Sequence, residues 1–220
     1  ERGIQACLQS LLNQDYPDVE VIAVDDHSSD HTGNIMRDLE KENSHLKILQ
    51  GEDLPEDWLG KPFALKQAFK ISRGEYLLFT DADPVFEPHA LNTAVNTMRE
   101  RELDVLTLMP QAKFGSFWER AVQPVIFGFI ASLTRFKNVN DPDHKSSMGF
   151  GAFLMFRRSA YEKIGGHEAG KADVLEDVLI AKRAKTAGLK LLVADAKQLF
   201  SIRMYFGLKE IWIGWRKNMF

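Results

Sequence analysis

The chain holds a single cysteine, Cys7, so it can form neither an internal disulfide nor a cysteine-rich zinc site, and a reducing compartment is the default expectation. Long apolar runs are missing too. The longest nearly uninterrupted one, Ala121 to Leu133 (AVQPVIFGFIASL), contains Gln123 and Pro124. It falls well short of the ~20 residues that span a bilayer, so it can lie on a membrane but not cross one. The sequence opens on Glu1 without an initiating methionine, a charged n-region or an apolar h-region, so no targeting signal is visible and the chain reads as part of a longer one. Internal repeats and low-complexity segments are also absent. The formal net charge is only -3, with basic residues scattered among acidic ones, which gives no basis for a nucleic-acid partner held by phosphate contacts. What is there is ordinary for a globular protein: 220 residues, 45% hydrophobic, 10% aromatic and 27% charged, enough for a sizeable core.

Periodicity divides the chain into elements. Ile4, Cys7, Leu8, Leu11 and Leu12 recur at helical spacing, and Val19 to Val24 (VEVIAV) reads as a buried strand running into DDHSSDHT. Asp30 or Ser29 can cap a following helix with Ile35, Met36 and Leu39, and Leu46 to Leu49 is the next strand. A Gly- and Pro-rich loop over 51–62 precedes a helix from about Phe63 to Ser72, then the strand EYLLFT ends in Asp81-Ala82-Asp83-Pro84. Leu91, Val95 and Met98 mark a helix, and Val105 to Met109 a strand. This alternation of strand and helix is the signature of a parallel α/β sheet, whose ligand sites lie at the carboxyl ends of the strands. The second half is less regular. Residues 114–134 read as an aromatic-rich helix and KNVNDPDHKSSMGFG as a polar loop; Ala152 to Phe156 is a strand and Ser159 to Ile164 a helix before Gly165-Gly166. Val174 to Ala187 is helical with Gly188 as C-cap, Leu191 to Val193 and Phe200 to Met204 suit strands, and the tail EIWIGWRKNMF suits a docked or membrane-surface helix.

Four constellations can carry chemistry. Asp25-Asp26 closes a strand; Asp25 serves equally well as a turn-former, whereas Asp26, one step further out, is better placed to meet a ligand. Asp81 and Asp83, presented by a buried strand, form a hard oxygen site for Mg²⁺ or Mn²⁺ that would bridge ligand phosphates, although a lone D-x-D is a weak signal. Glu176-Asp177 opens a helix after a Gly-rich stretch, where the macrodipole favours acids and where a base could face an acceptor. Lys61 follows Trp58-Leu59-Gly60 near a helix start, a setting that suits diphosphates. The histidines, among them His27, His31, His89, His144 and His167, read as surface or turn residues, and the aromatic residues of 114–134 as core.

The order VDDHSSD, WLGKPFAL, GEYLLFTDAD and LEDVLIAKRAKTAG resembles family 2 glycosyltransferases of the GT-A fold. The stretch from NDPDHKSSMGFGAFLMFRR to IRMYFGLKEIWIGWRKN is similar to the subgroup of hopanoid-associated and carotenoid (diaponeurosporenoate-type) glycosyltransferases, and the likeness covers essentially all 220 residues. The resemblance implies one catalytic domain over 1–220, with a nucleotide-binding half over 1–110 and an acceptor-binding half over 111–220 that ends in an amphipathic helix. It implies a mostly parallel sheet flanked by helices. By position, Asp26 matches the residue that reads the nucleotide base, with Asp25 beside it; Asp83 matches the metal ligand and Asp81 the acid near the ribose and sugar; Lys61 lies near the nucleotide. Asp177 matches the general base and Glu176 its neighbour near the acceptor. Trp212, Trp215 and Arg216 only loosely echo the Q-x-x-R-W region of processive relatives, and the strict pattern is absent.

The activity so implied is inverting, Mn²⁺- or Mg²⁺-dependent transfer from a nucleotide-sugar, expected to be UDP-linked, to a hydroxyl or carboxyl acceptor such as a lipid or isoprenoid. The longer protein would work at the cytoplasmic face of a membrane. Family members begin with a strand and a P-x-R-N-E-like turn, and this sequence reads as starting just after them. The alternatives are a non-catalytic nucleotide-sugar-binding fragment, a haloacid-dehalogenase-like phosphatase with Asp81 as nucleophile, and a sugar nucleotidyltransferase.

Overall fold

The computed structural model describes residues 3–133 and 136–219; the expected helix over 114–134 is therefore seen to Leu133, and Glu1, Arg2, Thr134, Arg135 and Phe220 lie outside the described residues. Helix α1 (Ile4–Leu12) buries Ile4, Cys7, Leu8 and Leu11, the face its spacing marks. Strand β1 (Val21–Asp25), helix α2 (Thr32–Glu42) and strand β2 (Leu46–Gln50) follow, with β1 and β2 paired in parallel. Asp30 Oδ1 accepts the Thr32 N–H at 3.0 Å and so starts α2. Next come α3 (Gly60–Ile71), β3 (Tyr76–Phe79), β4 (Val85–Phe86), α4 (Ala90–Glu100), β5 (Val105–Met109) and β6 (Gln111–Ala112). The second half supplies α5 (Phe117–Leu133), α6 (Phe136–Val139), β7 (Leu154–Arg157), α7 (Arg158–Lys163), a 3₁₀ turn at Glu168–Gly170, α8 (Glu176–Thr186), β8 (Leu191–Asp195), β9 (Phe200–Ile202) and α9 (Leu208–Met219).

Four strands form a sheet in the order β3-β7-β5-β8. β7 runs antiparallel to both neighbours while β5 and β8 are parallel, so β3, β5 and β8 share one direction and a strand from the second half is wedged between two from the first. Alternation from Phe153, just before β7, through Phe156 feeds two cores: Phe153 and Met155 pack with α1 and α4, and Leu154 and Phe156 with α7 and α8. Helices thus cover both faces. β4, β9 and β6 make a small accessory sheet. Among the described residues β1 pairs only with β2, and β3 only with β7. The two-residue strands β4 and β6 and the short α6 have no counterpart in the sequence reading, because two to four residues carry no period.

Candidate active site

Every acidic constellation lies at a strand end or a helix start facing the same rim of the fold. Asp25 closes β1 and is 5% exposed. Its Oδ1 accepts the Ser28 N–H at 3.0 Å, its carbonyl accepts the Gly51 N–H at 2.9 Å, and Oδ2 faces Arg37 at 3.9 Å. A Cβ on Gly33 would collide with that carboxylate, so Asp25 is fully enclosed by the start of α2. Asp26, by contrast, is open. Its two carboxylate oxygens lie 3.0 Å from where a Cβ on Gly51 and on Gly60 would stand, so both glycines keep space free around it. His27, at φ 59°, turns the chain there and places Nδ1 3.6 Å from Asp26.

Asp81 and Asp83 follow β3. Asp81 turns toward α3, where the Lys61 ammonium donates to Oδ1 at 2.6 Å. Asp83 lines a cleft of about 680 Å³ with Gly3, Ala6, Arg203, Met204 and Phe206. Burial, and then the charge of Asp81, push the Asp83 carboxyl up to about 6. Beneath the turn, Cys7 is buried with its thiol raised to about 12 by burial and then by these two aspartates, so it is a packing residue.

The second half delivers the other two acids to the same place. Glu176 and Asp177 form the first turn of α8, where the helix dipole favours negative charge. Glu176 Oε1 lies 2.5 Å from Lys61 Nζ. Although burial pulls the other way, Asp81 and Glu176 hold the Lys61 ammonium above its ordinary value. Asp177 is fixed by backbone: Gly151 N–H donates to Oδ2 and Val178 N–H to Oδ1, both at 2.8 Å. Burial, and then the charge of Glu176, raise its pKa.

The loop that holds Asp177 is itself pinned to the sheet. Thr107 on β5 accepts the Phe150 N–H at 2.9 Å and donates to the Phe153 carbonyl at 3.0 Å, while Thr80 donates to the Ala152 carbonyl at 2.8 Å. A Cβ on Gly149 would collide with the Asp177 carbonyl. The sequence signal for these glycines is the G-F-G spacing directly before a buried strand, whereas Thr80 and Thr107 sit within or beside strand patterns that do not mark them. The loop over 51–62 and the segment before α8 also clasp each other, through Leu59 N–H to the Lys171 carbonyl at 2.8 Å and Lys171 to Asp57 at 3.0 Å.

One histidine departs from the sequence reading. His167 is neither a surface nor an open turn residue: it is 2% exposed, shares a 2.7 Å hydrogen bond with the Tyr161 hydroxyl and donates its backbone N–H to the same oxygen at 3.0 Å. Burial, and then the Lys61 and Arg183 charges, lower its pKa to about 3. The Gly165-Gly166 turn, at φ 73° and 53°, folds it back under Tyr161 and Phe79. On the far side of the cleft, Glu119 is fully buried and accepts from Arg203 Nε and Nη2 at 2.9 and 3.0 Å, and from the Gly115 and Ser116 N–H groups, tying the start of α5 to the end of β9. Along α9, Trp212 is 71% exposed and Arg216 exposed, while Trp215 is buried against Phe127 and Tyr205. Trp212 and Arg216 are therefore free to meet a ligand or surface, and Trp215 joins α9 to α5.

Residues 1–165 match the family described as glycosyl transferase family 2. The chain is 22% identical to a 4,4'-diaponeurosporenoate glycosyltransferase of Staphylococcus haemolyticus, over 100% of this chain and 58% of that protein. It is 27% identical to a poly-beta-1,6-N-acetyl-D-glucosamine synthase of Staphylococcus epidermidis, over 81% of this chain and 41% of the relative. Among solved structures it resembles the mannosyltransferase PcManGT from Pyrobaculum calidifontis in complex with GDP-Man and Mn²⁺ (TM-score 0.65, 21% identity, 88% of this chain and 52% of that one). It also resembles S. aureus TarS 1-349 in complex with UDP-GlcNAc (TM-score 0.64, 22% identity, 96% and 57%). The chain spans less than two thirds of the length of each of these relatives. The shared architecture is the GT-A fold.

Proposed function

The chain belongs to glycosyl transferase family 2, and we propose that it moves a sugar from a nucleotide-sugar, UDP-linked in our reading, to a hydroxyl or carboxyl acceptor with inversion at the anomeric carbon. One observation carries this: Asp81 at the end of β3, Lys61 at the start of α3 and Glu176-Asp177 at the start of α8 meet within hydrogen-bond distance of one another or of Gly151. Donor and acceptor groups are thereby brought to one rim.

The residues present fit a divalent cation. Asp83 and Asp81 offer hard carboxylate oxygens, and the Asp83 carboxyl, raised first by burial and then by the Asp81 charge, is a group that a cation beside it would stabilise in its charged form. Among the described residues no group of three or more histidine, cysteine or acidic side chains could hold the ion, so donor phosphates and water would complete its shell. Mn²⁺ or Mg²⁺ held there supplies neutralisation of the diphosphate leaving group. Asp26 accepts from the base edge in its glycine-framed opening, with Asp25 shaping the turn behind it. Lys61 gives a second positive charge near the phosphates. Asp177 takes the acceptor proton as the acceptor oxygen bonds the anomeric carbon and the bond from that carbon to the diphosphate breaks, releasing the nucleoside diphosphate. A raised pKa suits a group that must bind a proton transiently. Glu176 adds negative charge beside it.

The acceptor side belongs to residues 111–220. Contrary to the reading of the 114–134 aromatic residues as core, α5 presents Phe117, Trp118, Val125 and Phe129 to solvent, and α9 presents Trp212 and Ile213 with Arg216 beside them. This surface supports a lipid or isoprenoid acceptor and docking on the cytoplasmic face of a membrane in the longer protein. No helix among the described residues is long and apolar enough to cross one. Incubation with UDP-sugars and isoprenoid hydroxyl or carboxyl acceptors, followed by the anomeric proton coupling of the product, tests the reading. Inversion is expected; a product of retained configuration contradicts the single-displacement mechanism, and nucleotide binding without any transfer favours a non-catalytic role.

A further inference from the structure

Lys61 holds an unusual position for a cation assigned to a phosphate site. Its ammonium bridges Asp81 Oδ1 at 2.6 Å and Glu176 Oε1 at 2.5 Å, acids carried by a turn after β3 and by α8. A Cβ on Gly151 would stand 2.8 Å from Lys61 Nζ, 3.3 Å from Asp81 Oδ2 and 3.4 Å from Asp177 Oδ2. The charged ends thus crowd the α-carbon of one glycine, where a side chain of any kind would push them apart. Glu176 is only 9% exposed and is ion-paired to that ammonium. An ammonium and a divalent cation at the same carboxylate repel each other strongly at such separations, and both cannot hold Asp81 at full strength.

Resting on the donor reading above, we propose that Lys61 is a positioning residue that occupies the cation seat at Asp81 while the donor is absent. There it ties the donor-side and acceptor-side acids together. It yields Asp81 when a divalent cation arrives with the diphosphate, and then pairs with the phosphates while still reaching Glu176. Lys61 is in this account a tethered stand-in for the metal, and its charge opposes the binding of a bare cation at Asp81.

The consequence is a pair of effects of opposite sign. Mn²⁺ alone, titrated without nucleotide and followed by the electron paramagnetic resonance signal of the free ion, is expected to bind Lys61→Met about tenfold or more tightly than the unaltered chain. UDP in the presence of Mn²⁺ is expected to bind the same variant more weakly. Lys61→Arg keeps the charge and is expected to keep the weak Mn²⁺ binding. A merely structural lysine would not raise metal affinity on removal. Unchanged, weaker or undetectable Mn²⁺ binding by a folded Lys61→Met overturns the proposal, and Lys61→Gln serves where Lys61→Met does not fold. Should that happen while UDP binding by the unaltered chain still needs Mn²⁺, the glycosyltransferase reading stands. Tighter Mn²⁺ binding by the variant with no UDP binding by either chain supports the cation seat and removes the donor reading instead.

Discussion

The turn after β1 and the first turn of α8 each carry two adjacent acids, and the fold treats the two pairs in opposite ways. In Asp25-Asp26 the first acid is enclosed by Ser28, Arg37 and Gly33 and the second is left open between Gly51 and Gly60. In Glu176-Asp177 neither is spare: Glu176 is ion-paired to Lys61, and Asp177 is gripped by two backbone N–H groups yet keeps a raised pKa. A strand terminus needs one acid to make the turn and can present the next. A helix start has free backbone N–H groups, here that of Val178, and with the Gly151 N–H from the adjoining loop it fixes a carboxylate without neutralising it. The first arrangement suits recognition, and the second suits proton transfer.

Substitutions at the two pairs should therefore separate. Asp177→Asn is expected to cut transfer by about 10²- to 10⁴-fold while UDP affinity stays unchanged, measured by release of UDP under saturating donor. In the unaltered chain the rate should fall on the acid side as Asp177 becomes protonated, at a pH above the ordinary carboxylate range, because its pKa is raised. Asp25→Ala should act on stability instead, costing roughly 1.5–3 kcal/mol in urea denaturation through the lost charge-assisted bond to Ser28. Beside α8, His167 gives the same region an acid weakness. Its folded pKa of about 3 lies below the ordinary 6.5, so its neutral form stabilises fully above about pH 6.5 and that contribution is lost as pH falls toward 3. About 3 kcal/mol should have gone by pH 4.5, and His167→Phe should flatten the urea midpoint over that interval. The smallest effect is for Asp26→Asn: stability within about 0.5 kcal/mol of the unaltered chain, with weaker UDP binding by calorimetry.

Much of this arrangement can be read from residue order, and the limits have physical causes. VIAVDD, EYLLFTDAD and LEDVL mark the two strand ends and the helix start that carry the acids, because buried strands and first helical turns impose strong local patterns. The order within Asp25-Asp26 is legible too, since the first acid makes the turn and the second, one step further out, stays open, but the close approach of Gly33 and Arg37 to Asp25 appears only in the fold. The reversed direction of β7 is likewise invisible, since alternation is the same in either direction. His167 sits in a glycine turn that looks open in sequence, and only the fold brings Tyr161 over it. The helix start marks Lys61 as a phosphate-side cation, but its bridge between Asp81 and Glu176 joins residues 20 and 115 positions away.

Calorimetric titration of UDP into the chain with and without Mn²⁺, repeated with Asp83→Ala, tests the account most directly. Binding that requires Mn²⁺ and disappears in Asp83→Ala is the expected result. UDP binding of equal strength without the metal and in the variant would contradict it, by showing that the acids after β3 do not hold the donor.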